Sequence, residues 1–164
     1  MGDTLRSQTI STELQQIAQQ AADYPDRVFT TLAHRMDIPF LREAYRRTKK
    51  NGASGVDKVT AKEYAENLDT NLMDLHTRLK EGRYIAPPVK RIWIQKEDGK
   101  ERPIGIPAFE DKIVQRAVEM LLSPIYEHIF YNFSMGFRKG RSQHQAIHAL
   151  REQCRTQNIK WIIS

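Results

Sequence analysis

Apolar residues recur at helical spacing through most of this chain and alternate in only one stretch. Ile10, Leu14, Ile17, Ala18 and Ala21 form the first stripe, which stops at Tyr24-Pro25. They predict a helix behind a polar, frayed Met1–Gln8. Val28, Phe29, Leu32, Ala33 and Met36 predict a second, short helix, with Pro25 suited to its first turn and Asp37-Ile38-Pro39 at its end. A third, from about Phe40 to Lys50, turns Leu41, Ala44, Tyr45 and Thr48 inward. Arg46, Arg47, Lys49 and Lys50 crowd its last turn, where the helix dipole favours cations. Dipole complementation on a solvated face would by itself explain that run.

Asn51-Gly-Ala-Ser-Gly-Val-Asp57 then reads as a loop with two glycines. Thr60 with Glu63 is a capping box opening another helix. Leu68, Leu72, Leu75 and Leu79 carry its stripe on to Gly82. Pro87-Pro88 separates this helical part from the alternating stretch. There Val89, Arg91, Trp93 and Gln95 fall on one face, and Lys90, Ile92, Ile94 and Lys96 on the other. Asp98-Gly99 predicts a tight hairpin turn, because such turns need residues at positive φ. The return strand carries Arg102, ahead of a Pro103–Pro107 segment able to donate few ladder bonds. A hairpin that folds Lys96 and Arg102 toward each other makes a polyphosphate clamp, lysine as a point charge and arginine as a bidentate fork.

After Pro107, Ile113, Val114, Ala117, Val118, Leu121 and Leu122 predict a core helix, and Ser123-Pro124 restarts a shorter one through Phe130. A Gly136–Ser142 loop follows. Ser142 caps a helix with Ala146, Ile147, Leu150 and Cys154 on its apolar face. Ile159 to Ser164 resembles the opening of a buried strand. The expected class is α+β: a helical amino-terminal half, a β-hairpin, then helices packed on a small, incomplete sheet.

Composition narrows the chemistry. The 164 residues carry 40% hydrophobic and 28% charged side chains, which describes a soluble globular protein. A net charge of +6 favours nucleic acid or another polyanion as partner. The single cysteine, Cys154, has no internal disulfide partner and reads as a small buried hydrophobe in a reducing compartment. No apolar run approaches membrane-spanning length and no signal-peptide core is visible, so a cytoplasmic protein is expected. A metal centre has poor support, because only His144 and His148 stand four apart on one helix, with no third ligand beside them. Nucleophilic catalysis has none, and Glu110 and Asp111 begin a helix, where acidic side chains suit the dipole anyway.

Polyanion binding has more. Basic residues cluster at Arg46–Lys50, Lys90–Arg102 and Arg138–Arg141, each bordering glycine, which lets backbone N–H groups approach a phosphate. Tyr84, Trp93, Phe133 and Phe137 interleave and could stack on bases. The bland alternatives are a solvated surface for the cations and core packing for the rings, the latter equally good for Trp93.

Four segments in order are more specific than any one of them: Asn51–Asp57, Lys96-x-Asp-Gly-Lys-x-Arg-Pro-Ile-Gly-Ile-Pro107, Asp111-Lys-Ile-Val-Gln-Arg-Ala117, and Gly136-Phe-Arg-x-Gly-Arg-Ser142. Together, over Phe29–Ser164, they resemble the amino-terminal part of group II intron reverse transcriptases, which double as maturases. The resemblance implies residues 1–37 as an amino-terminal helical extension, and 38–164 as the fingers and beginning of the palm of a right-hand polymerase. It implies that Lys96 and Arg102 grip the triphosphate of an incoming deoxynucleotide. The extra loop, with Lys49, Lys50, Asn51, Gly52, Ser54, Gly55 and Asp57, would lie against RNA and help bind the intron. Arg91, Arg138, Lys139, Gly140 and Arg141 would join it along the template. Gln95 and Lys139 stand where the family commonly has proline, which would loosen both loops.

Implied partners are intron or template RNA, primer DNA, a deoxynucleoside triphosphate, and the remainder of the polymerase. Mg2+ is implied for the intact enzyme, with none of its ligands in this chain. The family's first metal-binding aspartate follows the strand that Lys160–Ser164 resembles, and its Asp-Asp turn lies further on. A truncated polymerase unable to synthesise DNA alone is therefore expected. The alternative is a stand-alone basic RNA-binding module. A DNA-binding helical regulator is weaker, because no recognition helix carries base-reading residues.

Overall fold

The computed structural model describes residues 2–157 and 159, with side chains from residue 8 onward. These divide into two compact units, one up to Ile125 and one from Tyr126 onward. The expected closing strand lies outside the described residues.

The first unit contains α1 (Gly2–Asp23), a 3-10 turn (Ala33–Arg35), α2 (Ile38–Arg47), α3 (Ala61–Glu66), α4 (Leu68–Lys80), β1 (Lys90–Gln95), β2 (Glu101–Ile106) and nearly all of α5 (Phe109–Tyr126). One hydrophobic core joins its helices: Ile10 and Ile17 from α1, Phe40, Leu41 and Ala44 from α2, Leu72 and Leu75 from α4, and Phe109, Ile113, Ala117 and Leu121 from α5. Tyr64 of α3 joins them, its ring centroid 5.5 Å from that of Phe109 in an edge-on arrangement. The stripes in α1, α2 and α4 are thus the core, as periodicity predicts.

A polar layer along one side of α5 ties this core together. Arg78 of α4 donates to Glu110 at 2.8 Å and to Asp74 at 2.7 Å. The Tyr64 hydroxyl donates to Glu110 at 3.3 Å, and the Tyr84 hydroxyl to buried Asp111 at 3.0 Å. Burial first, then the adjoining carboxylate, pushes both phenols well above the usual tyrosine range. Glu110 and Asp111 therefore bind α5 to α3, α4 and the segment after α4, beyond their expected dipole role. Tyr84 belongs to this layer, and its hydroxyl is occupied.

Local sequence sets the helix ends. Asp37 opens α2 by accepting from the Phe40 N–H at 2.9 Å, so Asp37-Ile38-Pro39 starts a helix as well as closing the segment before it. Thr60 and Glu63 form the expected capping box. Several expectations need correction. The helix expected over Val28–Met36 is a single 3-10 turn with Val28 exposed. Val28, Thr30 and Thr31 are β-branched, and a segment that short between Pro25 and Pro39 cannot repay helix nucleation. Helix α1 starts at Gly2, so the expected fraying of Met1–Gln8 is not seen for residues 2–8. Asn67 divides the helix expected from Thr60 to Gly82 into α3 and α4. Helix α2 ends at Arg47, leaving Lys49 and Lys50 beyond its last turn.

Helix α5 runs through Pro124 without restarting. So close to the helix end, a proline removes only one N–H and little of the ladder. Val118 and Leu122, expected in the core, are exposed because α5 turns only one face inward.

β1 and β2 form an antiparallel hairpin, the one sheet among the described residues, with Arg91 opposite Gly105, Trp93 opposite Pro103 and Ile94 opposite Arg102. Gly99 sits at φ +77°, a conformation that Asp98-Gly99 makes accessible at the turn. No strand residue is among the buried core residues, and Trp93, Ile94 and Ile104 are exposed. The helices pack on one another and not on this hairpin, whose two strands present too little apolar surface to nucleate a core, and the small sheet expected with the closing strand falls outside the described residues.

The second unit holds α6 (Gln143–Thr156), opened by a capping box in which Ser142 accepts from the Gln145 N–H. No residue of α6 is buried. Ile147 and Leu150 are exposed, as is Cys154, which overturns its assignment as a buried hydrophobe. An amphipathic pattern fixes which side chains share a face, but not whether a partner covers it.

Candidate nucleic-acid interface

Strand register places Lys96 and Arg102. Arg102 pairs with Ile94, so the two share a face, and Lys96 lies two residues on from Ile94. The Lys96 N–H donates to the Lys100 carbonyl at 2.8 Å, continuing the ladder to that position. Lys96 and Arg102 are thus diagonal neighbours on one hairpin face, about 7–8 Å apart at the Cα level. Neither side chain makes an ion pair or hydrogen bond within the described residues. Arg91 stands on the opposite face with Trp93, which is 57% exposed, so core packing is eliminated for that indole.

The Asn51–Asp57 loop is pinned beside the base of this hairpin. A Cβ on Gly55 would stand 2.6 Å from both N and Cα of Ala108, and 2.9 Å from the Pro107 carbonyl carbon. Glycine is the residue that permits such a backbone approach. Lys112 of α5 reaches back and donates to the Ala53 carbonyl at 2.6 Å. Asp57 accepts from the Val59 N–H at 3.2 Å, a turn-forming bond. Among the described residues, Asn51, Gly52 and Ser54 form no hydrogen bond and Lys49 has no partner.

The neighbouring cations divide sharply. Arg46 and Arg47 both donate to buried Glu43, at 2.7 and 2.8 Å. Lys50 donates to the Tyr45 carbonyl and, at 2.8 Å, to that of Thr48, with its ammonium 3.8 Å from the Tyr45 ring centroid. Partial burial lowers the Lys50 pKa. In that basic run, only Lys49 is unengaged.

In the second unit, Arg138 is a structural latch. Its side chain is 6% exposed, donates to Glu127 at 2.6 Å and to the Tyr131 and Ser134 carbonyls at 2.8 and 2.9 Å, and lies over the Phe130 ring. The hydrogen bond from Arg138 holds the Glu127 carboxyl below the ordinary carboxylate range. Gly140 takes φ +76°, and among the described residues Lys139 and Arg141 make no ion pair or side-chain hydrogen bond. Phe133 and Phe137 are exposed, and Tyr131 stacks on Phe133 at 5.1 Å. No local signal distinguishes Arg138 and Lys50, which turn inward, from the neighbouring cations of the same basic runs.

Among the described residues, no group of three histidine, cysteine, aspartate or glutamate side chains could hold a metal ion. Among the described residues, the Mg2+ implied by the resemblance therefore meets no such donor set. No helix among the described residues is long and apolar enough to cross a membrane.

The sequence model of the family "Reverse transcriptase (RNA-dependent DNA polymerase)" matches residues 94–164, which include Lys96, Arg102 and the Gly136–Ser142 loop. Protein YkfC of Escherichia coli is 38% identical over 161 residues, 94% of this chain and 42% of that protein. The group II intron-encoded protein LtrA of Lactococcus lactis subsp. cremoris is 37% identical over 147 residues, 85% of this chain and 24% of that protein. An uncharacterized 91 kDa protein in the cob intron of Schizosaccharomyces pombe is 29% identical over 153 residues, 88% of this chain and 18% of that protein. The chain thus spans less than half the length of each of these relatives. The match over residues 94–164 and the likeness to relatives that include a group II intron-encoded protein together support a reverse transcriptase/maturase fragment.

Proposed function

We propose that this chain supplies the fingers and the start of the palm of a right-hand polymerase that copies RNA into DNA and assists intron splicing. Residues 1–37 are the amino-terminal extension and 38–164 the polymerase part, a division by resemblance that differs from the division by packing. Lys96 and Arg102 contact the triphosphate of the incoming deoxynucleotide. Lys49 and the Asn51–Asp57 loop, with Arg91, Lys139 and Arg141, contact RNA. Lys50 and Arg138 shape those loops from within. DNA synthesis, primer binding and splicing are proposed for a protein of the relatives' length.

One observation carries this reading: the register sets Lys96 and Arg102 on the same hairpin face, with neither engaged by a carboxylate. A lysine and an arginine at that spacing, unpaired among the described residues, attract a polyphosphate.

RNA binding is tested by fluorescence anisotropy with a labelled single-stranded RNA over a salt series. Neutralising three phosphates gives a slope of about −2 in log affinity against log salt, so affinity falls roughly tenfold or more between 50 and 200 mM. Lys49→Ala lowers the magnitude of that slope by about 0.7. A flat salt dependence, or an unchanged slope in the variant, contradicts the reading.

A further inference from the structure

Beside its core face, α5 carries Lys112, Gln115, Arg116 and Glu119, spaced so that they share one side of the helix. With Thr48, Lys49 and Gly52 they line an open concavity of about 450 Å3. Its charges are three cations against one carboxylate. Lys49 has no partner. Lys112 uses one of its three donors on the Ala53 carbonyl, which leaves its charge at the rim. Arg116 meets Glu119 through Nη1 at 3.0 Å, leaving its other guanidinium donors unused. Among the described residues, none of the backbone N–H groups from Lys49 to Ser54 finds an acceptor.

We infer that this concavity binds a phosphate group, held by Lys49, Lys112 and Arg116 and approached by the N–H groups of the Lys49–Ala53 segment. The inference deepens the proposed RNA contact of the loop and rests on that reading for the phosphate's source, though not for the site. The arrangement suits a tetrahedral anion: two point charges, one planar fork, and backbone donors beside a glycine that keeps the floor open. Glu119 opposes the anion, and its pairing with Arg116 tempers that repulsion. The shared ligand chemistry is phosphate, supplied by an RNA backbone or by a free phosphate.

The test is amide NMR of the 15N-labelled chain titrated with inorganic phosphate, then with a single-stranded RNA lacking terminal phosphates. Saturable shifts are expected at Lys49–Ala53 and Lys112–Glu119. Arg116→Ala should abolish them, and Glu119→Gln should move half-saturation severalfold lower in phosphate. Glu119→Gln keeps the side chain's size, so it reports even if the alanine variant misfolds. Absence of saturable shifts in the unmodified chain, or a half-saturation left unchanged by Glu119→Gln, overturns the site. If RNA moves the same amides, the occupant is a backbone phosphate. If phosphate moves them and RNA does not, the site stands with a free phosphate as occupant, and the RNA reading of this loop fails.

Discussion

Replacing Phe40 with alanine should bring the amino-terminal unit close to unfolding, at a cost of about 3–5 kcal/mol. Phe40 is one of the largest fully buried side chains, and it lies in the one core that joins the helices of that unit. The hairpin adds none of its residues to this core, so no second cluster shares the load. Domains of this size keep only about 5–15 kcal/mol in total, which makes such a loss a large fraction. Urea denaturation followed by far-ultraviolet circular dichroism gives the readout. The midpoint should fall sharply with the slope unchanged. Val28→Ala is the matched comparison: the apolar stripe alone predicts a core residue, whereas the structure exposes it. Its cost should stay within about 0.5 kcal/mol, as for an ordinary surface change. Equal costs for the two variants would contradict the packing described here.

Gly55→Ala should cost about 1–3 kcal/mol, as overpacking does where the obstacle cannot move aside. The atoms that the new methyl meets, at 2.6–2.9 Å, are all backbone atoms of Pro107 and Ala108, at the hairpin's exit and the start of α5. The loop must therefore lift, and the Lys112 bond to the Ala53 carbonyl is stretched with it. Gly52→Ala serves as control, since its added carbon would meet only the Lys112 Nζ at an ordinary 3.7 Å. The urea midpoint should drop for Gly55→Ala and hold for Gly52→Ala. Amide exchange at Lys58 and Val59, whose N–H groups bond back into this loop, should accelerate in the first alone. Equal behaviour of the two glycine variants would remove the case for a pinned loop.

What was legible in the sequence was local. Thr60 with Glu63 announces a helix start because both halves of the reciprocal cap are within three residues, and Ser142 announces another, to which the structure adds Gln145 as the returning half. Asp98-Gly99 announces the hairpin for the same reason, and strand alternation then assigns Lys96 and Arg102 to their face. The unread part depended on contacts distant along the chain or on whether a face is covered. Arg138 differs from Lys139 and Arg141 only through Glu127 and two carbonyls of a preceding turn. Lys50 differs from Lys49 because Tyr45 and its carbonyl lie beneath it. Glu110 and Asp111 looked like dipole partners, and only the return of Tyr64, Arg78 and Tyr84 makes them a network. Ile147, Leu150 and Cys154 share a face of α6 that no described residue buries. The family resemblance, by contrast, came from four ordered segments, and comparison with the bacterial and fungal relatives supports it over most of the chain.

Titrating a deoxynucleoside triphosphate into the 15N-labelled chain and following its amides addresses the clamp most directly. The account predicts saturable shifts centred on Ile94–Arg102, lost in the Lys96→Ala/Arg102→Ala double variant while the rest of the spectrum is preserved. Shifts that survive in the double variant, or RNA binding with an unresponsive hairpin, would contradict it and leave a basic RNA-binding module in place of a nucleotide clamp.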